Sequence, residues 1–426
     1  MFKYWKLGHN KSIWSKITFF LLVIIGIINV ILLSKFWPEN NRNIISQLDL
    51  SSSSNTVDDD DDDLFVNSKT ESLFNKAQQC LKDSPFAPLD APILWTQAQP
   101  LPMDELQAHF EDILNATSHL RFFPASKYAS YSGPWIEDMW IKQFCCSRHV
   151  SEFGGLVPLF IQWNDLSKKR GDQGYANLTM ELLSKLRKDV IYVTVSQNDD
   201  GIHPSARYGF RAQDTYNVLV LSAGGFGHIP LPLLIREQLW VARNKSAQYL
   251  ITFAGSIRRL SYVRKGMSRA LKDRNLNCSF PRKVYQGANW AQAMRDSMLN
   301  LAPRGFGRTS FRLYEAIQMG LIPIYLWDDD EWLPYRNSPA SVKNFGFSIH
   351  IDSFRGWLES ICQNLAKDKN YLRLDERTAL MKRYRDSYYT FEAVLQQLEY
   401  FFRNDCRSDL VCQRHPATSS KMNWEP

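Results

Sequence analysis

The residues best suited to chemistry fall in one stretch, MLNLAPRGFGRTSFRLYEAIQMGLIPIYLWDDDEWLPY, at 298–335. Gly305 and Gly307 let backbone N–H groups approach a ligand closely. A helix beginning near Ser310 points its positive end into the same space. Arg308, Arg312 and Glu315 are spaced i, i+4, i+7, which predicts one shared helix face. Two guanidinium groups and a carboxylate suit a nucleotide diphosphate. Arginine forks match phosphate oxygens, and a carboxylate accepts both hydroxyls of a ribose. The same residues also describe a tight turn followed by an ordinary Arg–Glu surface pair. The dinucleotide fingerprint G-x-G-x-x-G is not met, because Ser310 or Phe311 stands where its last Gly belongs, and there is no Gly-Lys-Ser of a P-loop.

The elements needed to position these residues can be read on either side. IYVTV (191–195), NVLVLSA (217–223), YLITFAGS (249–256), MLNLAP (298–303) and LIPIYLW (321–327) are β-branched, apolar strand candidates. Helical periodicity runs through 258–272, 290–297 and 310–319, the last stopped by Gly320. Such alternation predicts doubly wound parallel sheets, with a break near 242–247 dividing two of them. Residues 373–403 read as one long helical run rich in Tyr, Leu and Phe. In open sheets of this kind a ligand lies at the carboxyl ends of the strands, where the loop at 304–310 falls.

PRGFGRTSFRLYEAIQMGLIPIYLWDDDEWLPY resembles the exostosin signature: a Pro-Arg-Gly run, Ser-Phe-Arg with Glu three after the Arg, Gly-x-Ile-Pro, and Leu-Pro-aromatic. TFAGSIRRLSYVRKGM (252–267) is similar to the family's Phe-x-Gly strand end and basic helix. The resemblance is to exostosin-type glycosyltransferases (family 47), weak at the front of 88–402 and strong over 249–335. It implies a GT-B fold, two Rossmann-like domains facing a cleft. It implies a nucleotide-sugar donor, usually a UDP-sugar, in the second domain, and a glycan or glycoprotein acceptor facing the first. It also implies inversion at the anomeric carbon without an obligatory metal or other cofactor. The donor-site residues it implies are Arg304, Gly305, Ser310, Arg312 and Glu315, joined by Gly307 and Arg308 of the same loop. Arg258, Arg259 and Arg264 follow the strand at 249–255 and are placed to cap the diphosphate. The chain departs from the family at Leu299 or Leu301 and at Leu321, where many members carry Cys.

Other residues have competing roles. Asp328, Asp329, Asp330 and Glu331 follow a strand end. An Asp328/Asp330 pair binding a divalent cation and a diphosphate, as in GT-A enzymes, is the alternative mechanism; a solvated loop is the plainer reading. An inverting transferase needs a general base, and Asp199, Asp200 and His203 in QNDDGIH are candidates, although Asn-Asp-Asp-Gly is also a turn sequence. His228 in GGFGHIPLP is a further cleft candidate. A silent membrane partner that binds a glycan or assists a sister transferase remains the non-enzymatic alternative, and an oligomer with a related transferase is compatible with either.

The net charge of +7 does not argue for nucleic acid. Its distribution is more informative: 256–312 holds thirteen Lys or Arg and two acids, Asp273 and Asp296. Part of that surplus is solvated helix face, and the rest points to a phosphate-bearing or otherwise acidic ligand. Seven cysteines lack paired metal spacing. They predict an oxidising lumen with a few disulfides and at least one free thiol. Cys145 and Cys146 are expected to seek distant partners, and Cys406 with Cys412 to close a short loop.

Residues 17–34 carry no charge and lie between Lys16 and Lys35. As a helix they reach about 27 Å, close to a bilayer core. Lys3, Lys6, Lys11 and Lys16 put the N-terminus in the cytosol. A cleavable signal would end in small residues, and NVILLSKFW does not, so the run reads as an uncleaved anchor. Six consecutive aspartates at 58–63 read as solvated spacer. The expected organisation is a cytosolic tail (1–16), an anchor (17–34), a disordered stem (35–88), an acceptor domain (89–245), a nucleotide-sugar domain (246–360) and a helical tail (361–426). The location is a Golgi membrane, single-pass type II, with a lumenal catalytic domain. Sequons at Asn115, Asn177 and Asn244 are compatible with glycosylation there, and Asn277-Cys-Ser is a weaker fourth.

Overall fold

The computed structural model describes residues 72–84, 101–121, 127–128, 131–166, 181–182, 184–202, 215–235, 239–241, 244, 246–257 and 262–413. All of them belong to one compact unit, Lys69–Pro426. The anchor at 17–34, the aspartate run, Asn177, His203, Arg258 and Arg259 lie outside the described residues. No helix among the described residues is long and apolar enough to cross a membrane.

Two all-parallel sheets organise the unit. A two-residue antiparallel pair, β1 (Lys127–Tyr128) with β2 (Tyr131–Ser132), precedes them. The first sheet runs β3 (Val157–Pro158), β4 (Tyr192–Ser196), β5 (Val218–Ser222), β6 (Ile229–Pro230) in that order. Every residue of β4 and β5 is buried, which is why their sequences are continuous apolar runs rather than alternating ones. Their buried polar atoms are satisfied locally: Thr194 Oγ1 donates to Leu159 O (2.8 Å), and Ser196 Oγ to Gly201 O (2.8 Å).

The second sheet comprises β7 (Tyr249–Ala254), β8 (Arg282–Tyr285), β9 (Ser297–Pro303), β10 (Pro323–Trp327) and β11 (Phe347–His350). Its spatial order is β11-β10-β9-β7-β8. The chain starts at β7, steps outward to β8, then returns to β9 on the other side of β7. The winding therefore reverses between β7 and β9, and in open sheets such a switch point places the ligand crevice at the carboxyl ends of the two strands.

The helices are α1 (Leu73–Lys82), α2 (Met103–Ala116), α3 (Ile136–Phe144), α4 (Tyr262–Lys272), α5 (Trp290–Arg295), α6 (Phe311–Met319), α7 (Val342–Phe345), α8 (Ile351–Lys367), α9 (Leu374–Tyr388) and α10 (Phe391–Phe402). Helix α6 buries all seven residues from Leu313 to Met319. Gly320 ends it in the left-handed region, φ 79°, a conformation a side chain would strain. A β-carbon at Gly320 would also strike the Trp240 ring at 2.7 Å.

Several expectations change. Part of the stem is ordered: α1 buries Leu73, Phe74, Ala77, Cys80 and Leu81, one apolar face at helical spacing. The single helical run at 373–403 is two helices, broken at Tyr389, with the Thr390 hydroxyl capping Ala393 N at 3.1 Å. Helix α10 packs on α3, with Phe402 5.5 Å from Trp140 and 5.2 Å from Phe153, and Glu399 pairs with Arg148 at 2.8 Å. Disulfides join Cys80–Cys412, Cys278–Cys362 and the neighbours Cys145–Cys146. The adjacent pair closes on itself, and Cys406 is left as an exposed thiol because Cys412 is bonded to Cys80 of α1.

Candidate functional site

Arg304 is the first residue beyond β9. Parallel register pairs Leu326 of β10 with Pro303 of β9, so Arg304 comes level with the acids that follow β10. Its Nη1 donates to Asp328 Oδ1 and Asp329 Oδ1, both at 2.6 Å. Its Nε and Nη2 reach back to Gly307 O (3.1 Å) and Phe306 O (3.0 Å). The Gly-rich loop is thus wound around one guanidinium, and Gly305 N closes it onto Thr309 O at 2.9 Å. Burial works to lower the Arg304 pKa, but Asp329 and Asp328 outweigh it and raise it. Arg308 donates to Asp329 Oδ2 (2.9 Å), lies 3.4 Å from Asp330 Oδ2, and stacks 4.5 Å over the Phe226 ring. Burial raises Asp328; at Asp329 burial is overcome by Arg308 and Arg304, and its carboxyl lies below the usual range.

Two sequence expectations are corrected here. Arg308 does not share a helix face with Arg312 and Glu315: α6 starts at Phe311 with Ser310 as its N-cap residue, so Arg308 is still in the loop. Asp328 and Asp330 do not converge on a common point. Asp328 faces Arg304, while Asp330 faces Arg308 and accepts from Gln413 Nε2 at 2.7 Å. Among the described residues no group of three or more His, Cys, Asp or Glu is placed to hold a metal ion.

Arg264 and Arg312 line the switch point itself. Arg264, from α4, donates through Nη1 to Ser256 O (3.0 Å), just past β7, and through Nε to Arg304 O (3.2 Å), just past β9. One guanidinium therefore spans the crevice. Arg312 donates through Nε to Ala254 O (2.6 Å), the last residue of β7, and stacks 4.1 Å over Trp290. It also pairs with Glu315 one turn along the helix. The Arg312 side chain is 16% exposed and that of Glu315 0%. Glu315 thus does not face the crevice openly; Arg312 covers it. Ser310 is buried, and its side chain makes no capping bond to the helix.

The carboxyl ends of the first sheet supply the opposing wall. A β-carbon at Gly307 would lie 1.9 Å from Gly224 O and 3.0 Å from Asp199 Oδ1. Only glycine allows the loops after β9, β5 and β4 to meet this closely. Asp199 is half-buried against that junction. Asp200 is exposed, yet sits deep enough among protein atoms that desolvation raises its carboxyl pKa. The turn is fixed by Asn198, whose Oδ1 accepts from Asp200 N (3.0 Å) and whose carbonyl accepts from Gly201 N (3.0 Å). His228 is not a cleft residue: it is buried, with Nδ1 accepting from Val220 N (3.0 Å) and its carbonyl accepting from Gln413 N (2.7 Å).

The sequence gives no hint of Glu137, which reads as one acid of an amphipathic helix. It is fully buried on α3 and accepts from Gln197 N (2.6 Å) and Asn164 N (3.0 Å), clamping the segments beyond β4 and β3. Burial pushes its carboxyl up to about 8, against the lowering effect of those two backbone bonds. Of the tryptophans, Trp332 is core, its Nε1 donating to Ser222 O (3.2 Å), and Trp290 is half-buried beneath Arg312. Asn115 is exposed at the end of α2. Asn244 is half-buried, with Nδ2 donating to Asp296 Oδ1 at 3.2 Å.

A groove of about 600 Å3 lies between α4 and α8, lined by Tyr262, Arg269, Asp273, Asp352 and Arg355 among others. Two contacts cross it, Arg355 with Asp273 at 2.8 Å and Tyr262 Oη donating to Asp352 at 2.8 Å. It does not include the arginines of the switch point.

No family model matches the chain, and no curated protein matches it, so the exostosin resemblance stands on the quoted residues alone. Among solved structures, the crystal structure of TarM overlaps 53% of this chain and 53% of that one, with 8% sequence identity and a TM-score of 0.31. The chain thus spans about half the length of that structure, and an overlap at this score decides neither fold nor activity.

Proposed function

We propose that the chain is an inverting glycosyltransferase of exostosin type and GT-B architecture, transferring a sugar from a nucleotide diphosphate donor, a UDP-sugar, to a glycan or glycoprotein hydroxyl. The observation that carries this reading is the switch point: Arg264 and Arg312 reach the carbonyls at the ends of β7 and β9 across a crevice bordered by the Gly-rich loop. Departure of the diphosphate develops negative charge there, and guanidinium groups with loop N–H donors stabilise it. Arg258 and Arg259 belong to the same basic segment and add to it. Arg304 and Arg308 act differently from Arg312. They are spent on Asp328, Asp329 and Asp330, and so shape the loop rather than meet phosphate. Glu315 sets the Arg312 guanidinium and meets the ribose when Arg312 turns toward the phosphates.

Asp200 is the general base of this reading. It stands on the wall opposite the donor loop, and a raised pKa brings a carboxylate closer to the basicity that proton removal requires. Donor binding needs no metal here, because the acids beside the loop are already neutralised by arginine. The chain is a type II protein of the Golgi membrane with its catalytic unit in the lumen, and the disulfides agree with an oxidising compartment. The ion pairing of Arg304 and Arg308 favours one other reading, a silent glycan-binding partner. Screening the full chain in detergent for hydrolysis of, or transfer from, a panel of UDP- and GDP-sugars separates the two. Turnover of none of them, with no binding of free UDP or GDP, would leave the silent partner.

A further inference from the structure

Among the described residues five large apolar side chains are exposed: Met103, Leu239, Tyr262, Phe306 and Tyr371. Phe306 is 62% exposed and stands apart for its position. It is the tip of the Gly-rich loop, between Gly305 and Gly307, at the carboxyl end of the strand that borders the switch point. An exposed ring at a mobile tip would mean little. This backbone is fixed, however. Its own carbonyl accepts from Arg304 Nη2, the next carbonyl accepts from Arg304 Nε, and Arg304 is itself clamped by Asp328 and Asp329. The loop is therefore built to hold a phenyl ring out in water.

Its position relative to the proposed donor site suggests what covers it. In that reading the nucleotide is taken by Arg312, which bonds Ala254 O and stacks on Trp290. Phe306 lies one residue from the contact of Gly307 with Gly224 and Asp199, where the two sheets' loops meet. We propose that Phe306 is a stacking surface for the apolar face of a pyranose ring of the acceptor, a role that rests on the glycosyltransferase reading. A pyranose presents C–H groups on one face, and a flat ring held rigidly beforehand binds that face with little loss of freedom. The adjoining Asp199–Asp200 turn then lies beside the hydroxyls of the same sugar.

The test uses the full chain in detergent, a UDP-sugar it accepts, and p-nitrophenyl pyranosides with free disaccharides as acceptor probes. UDP affinity is measured calorimetrically in parallel. Phe306→Ala is expected to raise the acceptor KM by about tenfold and to leave UDP affinity and melting temperature unchanged. Phe306→Trp is expected to restore the acceptor KM, which a merely structural role would not do. An unchanged acceptor KM in Phe306→Ala, with UDP affinity intact, overturns the proposal and leaves the glycosyltransferase reading standing. A fall in UDP affinity with an unchanged acceptor KM also overturns it, by moving the ring to the donor. A wild-type chain that neither binds UDP nor turns over any UDP-sugar overturns both.

Discussion

The two sheets present their carboxyl ends to one another, but they hold their loops by different means. After β4 the turn is held by neutral contacts and one buried carboxyl: Asn198, Ser196 and Glu137 bind backbone groups. After β9 the loop is held by charge, with two guanidinium groups set against three aspartates. The first arrangement leaves Asp200 in surroundings that favour its protonated form. The second fixes a cationic frame around a glycine-rich turn. Under the proposed function the first wall supplies the base, and the second supplies a rigid loop beside the Arg264 and Arg312 that meet the phosphates.

The largest expected effect tests the first wall. Asp200→Asn is expected to lower kcat by about a hundredfold to ten-thousandfold while UDP affinity stays unchanged. In the wild type, activity should fall as pH drops through a pKa above the ordinary aspartate value, because the base must be deprotonated and desolvation raises it. A variant with near-normal kcat would return the base to Asp199 or His203.

The next effect tests the second wall. Arg304→Ala leaves Asp328 without its guanidinium and Asp329 with Arg308 alone. Removing one partner of a buried pair costs about 3 kcal/mol, to be read by denaturant unfolding. Adding Asp329→Asn should recover part of that loss, since the two sites are coupled. A single-variant loss below about 0.5 kcal/mol would mean that solvent screens the network, as it does surface pairs.

A third effect concerns Glu137. Its folded pKa, about 8, lies above its unfolded value near 4.5. The folded state therefore binds the proton more tightly. The stability this confers is full below about pH 4.5 and is lost as pH rises toward 8. Glu137→Gln removes the titration, keeps one acceptor, and should flatten the fall in melting temperature over that window. An identical pH dependence in both proteins would place the proton elsewhere.

How far the sequence reached differs along the same lines. Strands β4, β5, β7, β9 and β10 were legible because burial on both faces demands uninterrupted apolar runs. Strands β8 and β11 were not: RKVY and FSIH lie at the sheet edges, mostly half-exposed, and carry no continuous apolar run. The break between α9 and α10 was hidden because Tyr389 and Thr390 carry no Gly or Pro signal. The arginines and the aspartates were each visible, but their pairing was not. Arg304 and Asp328 are 24 residues apart, and only the β9–β10 register brings them level. Helical spacing misled at Arg308, because the helix starts three residues after it. Glu137 gave no signal at all, since its role depends on two backbone N–H groups far along the chain.

The donor site proposed at the switch point of the second sheet binds a nucleotide diphosphate without a metal. Calorimetric titration of UDP into the full chain in EDTA, for wild type and Arg312→Ala, tests it most directly. UDP should bind the wild type in EDTA. Arg312→Ala, which removes a charge-assisted contact worth about 1.5–3 kcal/mol, should bind roughly tenfold to a hundredfold more weakly; it should also melt lower, because the buried Glu315 loses its partner. UDP affinity that is equal in the two proteins would show the Arg312–Glu315 pair to be a structural contact alone and contradict the donor site.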